Sequence, residues 1–541
     1  MNTACRNFVD RGRRDWCKAA ASAGMAVAFL SFATLLAPWA DGAETFPGTG
    51  RSNGDVTLFS FDDVSVPFTH NLGLTMHRPE KLAENPVVRR GEKGTPDEFG
   101  VQFYGSVVRD GDRYRMWYVA VDSELEKDPR SVQIWRPAYA ESRDGIHWTK
   151  PELGLVEYRG DRRNNLIAIE PAPLGIINLK VIVEPDDPDP TRRYKMTAQA
   201  WWREGEGRGR GTLAVLFSAD GLRWHAAVKS PPVGGLLPKE DLLLPEYHFE
   251  AAGGLYRWNG VYFATGQSAP PGVRGTREYS GREILLHRSP DFIHWSRTAS
   301  VGFLRGSQHQ SFPYGEGEEC HEGVSVWNRG NVLLGLYGQW HGGKQWKDRT
   351  VDLGFLVSND GLHFREPVPE SVFLPRGHDG AWDQGGVLQG QGFENVGDRT
   401  FIWYGAWDPR VGTEYKPRGG VGLATLPRDR FGSLSPKDTT HPAELITAPV
   451  ELKAGTRLLV NVDGLSEQGV LRVELLDLQE RPLPQFAGVN AAVVRQSGLA
   501  TPVTWSGAAQ FGEVRGPTRI RVIFDGDRRQ QVAVYALYLQ N

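Results

Sequence analysis

Acidic side chains recur just ahead of apolar, strand-like runs of this 541-residue chain. Glu250 precedes one such run, Glu322 lies at the start of another, and Asp97 and Asp383 precede two more. Two neighbouring carboxyl groups can divide the work of a general acid and of a base or nucleophile. Asp97, Glu250, Glu322 and Asp383 are therefore the candidate catalytic residues. The alternative for each is a turn at a strand end or a salt bridge.

Histidine and tryptophan side chains accompany these acids. His248 and His321 lie within two residues of a candidate acid and are predicted to orient carboxylates or bind ligand hydroxyls, with a buried, hydrogen-bonded histidine as the alternative. Trp340 and Trp382 lie in predicted loops, where exposed rings would stack on a ligand, unless they pack between strands. The tight His-Glu-x-x-His spacing of a metal site is missing, so no metal is predicted.

A short motif repeats four times and indicates the elements that position these residues. Each copy ends a strand-like run with Ser-x-Asp and an aromatic residue four positions after the Asp, and the copies begin at Ser142, Ser218, Ser289 and Ser358. The spacings are 76, 71 and 69 residues. Each copy predicts a strand, a tight turn whose Asp bonds the backbone, and a ring that packs between strands.

A second repeat confirms the period. The segment around Asp97 aligns with the segment around Asp383 at an offset of 286 residues, four periods away. Each unit contains several short strand-like runs between turn signals, which is typical of β-propeller blades. We predict five blades over about residues 75–435, with strands around Val56–Phe61 closing the ring. An array of β-sandwiches is the alternative, although consecutive sandwich domains are larger than this period.

The last hundred residues differ from the repeats. A polar stretch at 435–442 reads as a linker, and residues 443–541 contain short, alternating strands such as Ile520-Arg521-Val522-Ile523-Phe524. The predicted fold class is therefore all-β, a five-bladed β-propeller (44–435) followed by a C-terminal β-sandwich (443–541). The 64 glycines and 35 prolines suit many strands joined by turns.

The N-terminus is predicted to be a cleaved export signal over residues 1–43. Five basic residues precede an uncharged apolar stretch from Ala19 to Ala40, and small residues follow. Arg13-Arg14 also fits a twin-arginine signal, and an uncleaved anchor is the remaining alternative. We expect a periplasmic or extracellular monomer with no membrane span after cleavage. The formal charge of −3 argues against nucleic acid as a partner.

These features together resemble the five-bladed β-propeller glycoside hydrolases of families 32, 43 and 68, with a family 32-like sandwich. The residues that carry the resemblance are the Ser-x-Asp-Gly-x-x-Trp strand ends, the Asp97 and Asp383 segments, Glu250 ahead of Trp258-Asn259-Gly260, and Arg430-Phe431-Gly432 before the sandwich. The resemblance implies a carbohydrate substrate and hydrolysis of a glycosidic bond by paired carboxylates. Some relatives hold calcium in the channel, so calcium is kept as an optional cofactor.

The resemblance also implies roles for single residues. A blade-1 Asp acts as base or nucleophile, a blade-2 Asp stabilises the transition state, and a blade-3 Glu is the acid, which gives Asp97 and Glu250 the first and third roles. Blade 2 departs from the pattern, because no acid precedes its inner strand near Asn178. Glu322 or Asp383 would then substitute. The alternatives are a non-catalytic carbohydrate-binding propeller and a sialidase-like enzyme, which would need an arginine cluster, with Arg89, Arg90 and Arg376 as candidates.

Overall fold

The computed structural model describes residues 55–541 except 122–134, 204–209, 245–248, 269–281, 306–318, 343–347, 409–417, 506–510, 512–513, 515 and 541. The predicted export signal and His248 lie outside the described residues. Within them, no helix is long and apolar enough to cross a membrane. Short 3₁₀ helices occur at Pro190–Arg192, Lys239–Asp241, Pro484–Phe486, Gly488–Asn490 and Arg529–Gln531.

The fold is all-β, as predicted, and its strands form five blades and two sandwich sheets. The first four strands are β1 (Val56–Phe59), β2 (Phe68–His70), β3 (Leu72–Met76) and β4 (Glu80–Lys81). Blade 1 contains β5 (Gly100–Asp110), β6 (Arg113–Val121) and β7 (Trp135–Ser142). Blade 2 contains β8 (Ala168–Glu170), β9 (Ile176–Val183), β10 (Tyr194–Trp202), β11 (Arg210–Ser218) and β12 (Arg223–Ala226).

The remaining blades have four strands each. Blade 3 contains β13 (Glu250–Trp258), β14 (Val261–Ser268), β15 (Glu283–Ser289) and β16 (Ser296–Phe303). Blade 4 contains β17 (Glu319–Asn328), β18 (Leu333–His341), β19 (Thr350–Ser358) and β20 (Val372–Leu374). Blade 5 contains β21 (Val387–Val396), β22 (Arg399–Ala406), β24 (Val421–Pro427) and, from the start of the chain, β4, while the short β23 (Arg418–Gly419) pairs with β5.

The ring closes at blade 5, and it closes differently from the prediction. β4 pairs with β24 as the outermost strand of that blade, and the inner strands β21 and β5 meet in parallel. The predicted closure by Val56–Phe61 is wrong, because β1 pairs along its whole length with the C-terminal strand β32 (Ala533–Gln540). The apolar side chains Leu58 and Phe59 are buried in that arrangement.

The sandwich contains strands from both ends of the described chain. Its C-terminal strands are β25 (Gly432–Pro436), β26 (Ala443–Ile446), β27 (Arg457–Asp463), β28 (Val470–Leu476), β29 (Ala492–Val494), β30 (Gly498–Pro502), β31 (Arg519–Asp525) and β32. One sheet has the order β3-β25-β32-β27-β30 with β1 on β32, and the other has the order β2-β26-β31-β28-β29. The alternation in β31 buries Ile520, Val522 and Phe524 between the sheets.

The repeated Ser-x-Asp turns connect neighbouring blades at one end of the propeller. In the first copy the hydroxyl of Ser142 accepts from the N–H of Gly145 at 2.9 Å, and Asp144 Oδ1 accepts from the N–H of His147 at 2.8 Å. The indole of Trp403 in blade 5 donates to the carbonyl of Gly145 at 2.8 Å. The predicted turn is therefore confirmed, and it joins one blade to the next.

All five inner strands depart from regular pairing. β5, β9, β13, β17 and β21 each lose register with the neighbouring strand, at Gln102–Ser106, opposite Thr197–Gln199, at Glu250–Gly254, at His321–Val324 and at Gln389–Phe393. A bulge re-aims the side chains of its extra residues. In this ring it is the bulged stretches that bring polar groups from different blades together.

Candidate active site

Bulged residues from three blades meet around the carboxyl group of Glu322 on β17. Asn178 on β9 donates its side-chain N–H to Glu322 Oε2 at 3.1 Å. The hydroxyl of Tyr104 on β5 also hydrogen-bonds Glu322. Glu322 and Asn178 have φ angles of 58° and 57°, in the left-handed region. That region is unfavourable for Glu, so the bulge holds this side chain in place with a strained backbone conformation.

The Glu322 side chain is largely buried, with 18% of it exposed, and this burial raises the pKa of its carboxyl group to about 8. The nearby negative charge of Glu250 raises the pKa further, whereas the Tyr104 hydroxyl, the Arg282 guanidinium and the Lys180 ammonium oppose the rise. A carboxyl with this pKa holds its proton at neutral pH. Such a group can donate a proton to a leaving group, as a general acid must.

Glu250 is the second carboxyl group of the site. It lies at the start of β13, half-buried, and its backbone pairs with Gln267 on β14. Gln267 Oε1 in turn accepts the backbone N–H of Glu322 at 2.7 Å. The structure therefore brings together two of the four predicted acids.

A directed chain of hydrogen bonds leads to Glu322. Arg282 can only donate, and its Nη1 lies 3.0 Å from Nδ1 of His321. Burial, helped by the charges of Arg282 and Arg349, holds the pKa of His321 well below its usual value. The ring is therefore neutral with its proton on Nε2, which donates to the Tyr104 oxygen at 2.9 Å. That arrangement leaves the Tyr104 proton for Glu322.

Lys180 provides a buried amine beside this chain. Its Nζ donates to the backbone carbonyl of Tyr104, and burial lowers the pKa of Lys180 to about 7. The charge of Glu322 would raise that pKa. An ammonium group so close to neutrality responds to any negative charge that arrives or develops next to it.

One polar atom of the site lacks a partner within the described part of the chain. Asn178 is 2% exposed, and its side-chain oxygen accepts no hydrogen bond there. Buried amide oxygens are almost always paired. A ligand hydroxyl in the channel would supply the missing donor.

Asp97 and Asp383 lie in two matching clusters away from Glu322. Asp97 pairs with Lys150 and accepts from the Tyr118 hydroxyl at 2.9 Å. Asp383 pairs with Lys81 at 2.5 Å and accepts from the Tyr404 hydroxyl at 3.2 Å. The repeat thus reproduces a buried Asp–Lys–Tyr unit, which fits the salt-bridge alternative of the sequence analysis.

The same clusters explain why a glycine recurs in both copies of the repeat, at Gly91 and Gly377. A Cβ on Gly91 would lie 2.4 Å from Asp97 Oδ1, and a Cβ on Gly377 would lie 2.1 Å from Asp383 Oδ1. A side chain at either glycine would push the carboxylate off its lysine. The two glycines therefore belong to these structural units.

The predicted tryptophans occupy different positions. Trp340 is fully buried, with its ring centroid 4.5 Å from that of His321, so the expectation of an exposed ring is wrong. Trp382 is half-buried and packs on Tyr404 at 5.8 Å beside Asp383. The buried Trp340 ring therefore has no open face for stacking on a sugar.

Sequence reasoning missed Tyr104, Lys180, Asn178 and Arg282. The signal for two of them was available, since Asn178 and Lys180 interrupt the otherwise apolar strand Ile176–Val183. Polar residues inside a buried strand need partners, which points to a site. Tyr104 and Arg282 carry no such local signal.

The described residues offer no group of three or more His, Cys, Asp or Glu side chains arranged to hold a metal ion. Cys320, next to His321, is buried, and burial raises the pKa of its thiol to about 12. That thiol is therefore not a nucleophile at neutral pH.

Comparison with known proteins gives limited matches. No family model matches the chain. Two uncharacterized proteins of Mycobacterium tuberculosis, MT1551 and Rv1502, are each 32% identical over 101 residues, which is 18% of this chain. The match spans about a third of the length of these relatives, 32% of each.

Several solved structures align with this chain over most of their own length. A structure from work on GH130 glycoside hydrolases that target β-1,2 mannosidic linkages in Candida mannan has TM-score 0.40 and 16% identity, covering 65% of this chain and 94% of its own. An N-acetylgalactosamine deacetylase from F. plautii has TM-score 0.42 and 17% identity (66% and 96% covered). A glycosyl hydrolase from Bacteroides ovatus has TM-score 0.38 and 16% identity (66% and 95%). At such low scores these likenesses do not bear on the reaction.

Proposed function

We propose that the protein is a glycoside hydrolase in which Glu322 is the general acid and Glu250 the second carboxyl group. The observation that carries the proposal is the buried Glu322 carboxyl, whose pKa of about 8 keeps it protonated at neutral pH beside the Glu250 carboxyl. Hydrolysis of a glycosidic bond needs one protonated and one ionised carboxyl group. In this proposal Glu322 is the protonated group and Glu250 the ionised one.

The surrounding residues assist the proton transfer. Before transfer, Asn178 and Tyr104 hold the carboxyl in place. After transfer the Glu322 carboxylate is a buried anion, and the charges of Arg282 and Lys180 stabilise it. Reprotonation from solvent then returns the site to its starting state.

The first experiment replaces Glu322 with Gln and measures sugar release from a panel of oligo- and polysaccharides by reducing-end detection. Glu141→Gln is the matched control, because Glu141 lies near the Ser142 turn and pairs with Arg113. We expect E322Q to lose at least about 100-fold in kcat and E141Q to match the wild type. Unchanged activity in E322Q, or glycan binding by the wild type without any sugar release, would contradict the proposal.

The second experiment replaces Glu250 with Gln. We expect a comparable loss of kcat, because the ionised partner is removed, and also a lower pKa for Glu322, because the charge of Glu250 no longer raises it. The pH at which the residual activity declines on the alkaline side reports the pKa of Glu322, and this separates the pKa change from the loss of kcat. A variant that keeps full activity would leave Glu250 outside the reaction.

We also propose that the mature protein is an exported monomer. The basic N-terminal residues and the apolar stretch from Ala19 to Ala40 support export. Expression in a bacterial host followed by fractionation and N-terminal sequencing tests it. A mature chain starting near residue 44 in the periplasm or medium is expected, whereas retention of residues 1–43 would refute cleavage.

A further inference from the structure

Two guanidinium groups flank one indole beside the candidate acid. The guanidinium carbon of Arg282 lies 5.2 Å from the ring centroid of Trp340, and that of Arg349 lies 5.0 Å from it. The indole ring attracts both cations and lowers the cost of holding like charges in one place. Arg349 is 9% exposed, and the side chain of Arg282 is 26% exposed.

This pair makes the surroundings of His321 positive. Both arginines help to keep His321 neutral. Glu319 lies 3.6 Å from Nε of Arg282. Glu322 adds no negative charge while it holds its proton, and Lys180 adds positive charge whenever it is protonated. The charges of the two arginine side chains that act on His321 are therefore both positive.

None of the arginines that the sequence analysis considered belongs to this group. Arg90 donates to the backbone carbonyl of Glu98 at 2.9 Å, and Arg376 donates to the carbonyl of Gln384 at 2.8 Å. Arg282 and Arg349 follow β14 and β18 on adjacent blades, so only the folded ring brings them to one indole.

We infer that the site takes a negatively charged sugar, one that carries a carboxylate or a sulfate ester, with Arg282 and Arg349 as the groups that recognise the charge. The inference rests on the proposed function, because it names the substrate class of that same site. A guanidinium fork matches the geometry of both anions. An anion there would also favour the charged form of Lys180.

The experiment compares each acidic glycan with its own neutral form. The probes are oligogalacturonides, glucuronoxylan oligosaccharides and hyaluronan oligosaccharides with their carboxyl-reduced forms, and chondroitin sulfate oligosaccharides with their desulfated forms. We expect kcat/KM for at least one acidic form to exceed that of its neutral form by at least about ten-fold. The carboxyl and sulfate arms distinguish the two anions.

Variants then locate the preference. R349Q is expected to reduce the acidic-to-neutral ratio toward one, mainly through KM, while R349K retains most of it. The control R113Q removes an arginine that pairs with Glu141, and it is expected to leave the ratio unchanged. Equal or faster cleavage of the neutral forms with E322Q inactive would overturn this inference and leave the proposed function standing. If no glycan is cleaved, calorimetric binding of the same pairs to E322Q decides, and equal affinity for acidic and neutral forms would overturn the inference.

Discussion

Glu322 keeps its proton because folding removes its carboxyl group from water and places it near another carboxylate. The groups that would favour ionisation are present but do not outweigh burial. His321 is kept neutral by the same burial and by two arginines, so its proton position is fixed by the donor on the other nitrogen. The neighbours of Glu322 and His321 therefore determine the protonation states of both groups.

Activity is expected to fall as pH rises through about 8, because Glu322 then ionises and has no proton to donate. The measurement is kcat/KM against pH on whichever glycan the protein cleaves. Lys180 has a lowered pKa near 7 and titrates in the same region, so Lys180→Met is measured alongside. An alkaline limb that persists unchanged in E322Q would assign the limb to another group.

The raised pKa also predicts how stability depends on pH. In the folded state Glu322 ionises near 8, against 4.5 for its ordinary value, so the unfolded chain loses this proton first. Wild-type stability relative to E322Q is therefore highest below about pH 4.5 and falls by about 1.4 kcal/mol per pH unit between there and about 8. Urea unfolding of both proteins at pH 5, 6 and 7 checks the slope, and parallel curves would contradict it.

The inner strands determine which residues reach the channel. Each of the five is bulged, and the bulges in β5, β9 and β17 bring Tyr104, Asn178 and Glu322 into contact. Asp97 and Asp383, just before β5 and β21, form a different unit, in which each pairs with a lysine and accepts a hydrogen bond from a tyrosine. The bulges thus position the candidate catalytic groups, whereas the Asp–Lys–Tyr units stabilise the fold.

Asp97→Asn and Asp383→Asn are therefore expected to weaken folding more than catalysis. Each replacement removes the charge partner of a half-buried lysine and a hydrogen bond from a buried tyrosine, at a cost of about 1–3 kcal/mol. Thermal unfolding and kcat of the folded fraction are the measurements. A kcat loss as large as that of E322Q, with an unchanged melting temperature, would return either Asp to the catalytic group.

The sequence predicts the elements better than the site. The four Ser-x-Asp turns and the offset between Asp97 and Asp383 are periodic, and periodic features repeat the same local hydrogen bonds, so five blades could be inferred. Tyr104 and Arg282 could not be selected, because their role depends on a register shift and on blades that are far apart in the chain. Asn178 and Lys180 were visible only as polar interruptions of an apolar strand.

The two ends of the described chain meet in the sandwich. β1, β2 and β3 precede the propeller in sequence but pair with strands that follow it. Tyr538 of the sandwich donates to Asp429 at the end of blade 5, and Asp429 also pairs with Arg329 of blade 4 at 2.5 Å. These contacts connect the sandwich to blades 4 and 5 of the propeller.

Deleting residues 443–541 is expected to unfold the protein or make it insoluble. The deletion removes the partners of β1 and β2, and it exposes the apolar faces of Leu58 and Phe59. Circular dichroism and the yield of soluble protein are compared with a chain that lacks only residues 1–43. A truncated protein with unchanged melting temperature and activity would show that the propeller is independent of the sandwich.

The proposed function depends on Glu322 keeping its carboxyl proton at neutral pH. Infrared difference spectroscopy of wild type against E322Q measures it directly, through the C=O stretch of a protonated carboxylic acid followed over pH. We expect a C=O band of the protonated Glu322 carboxyl that is present at pH 7, absent from E322Q, and lost with a midpoint near pH 8. A Glu322 band that is already lost near the ordinary pKa of a glutamate would contradict it.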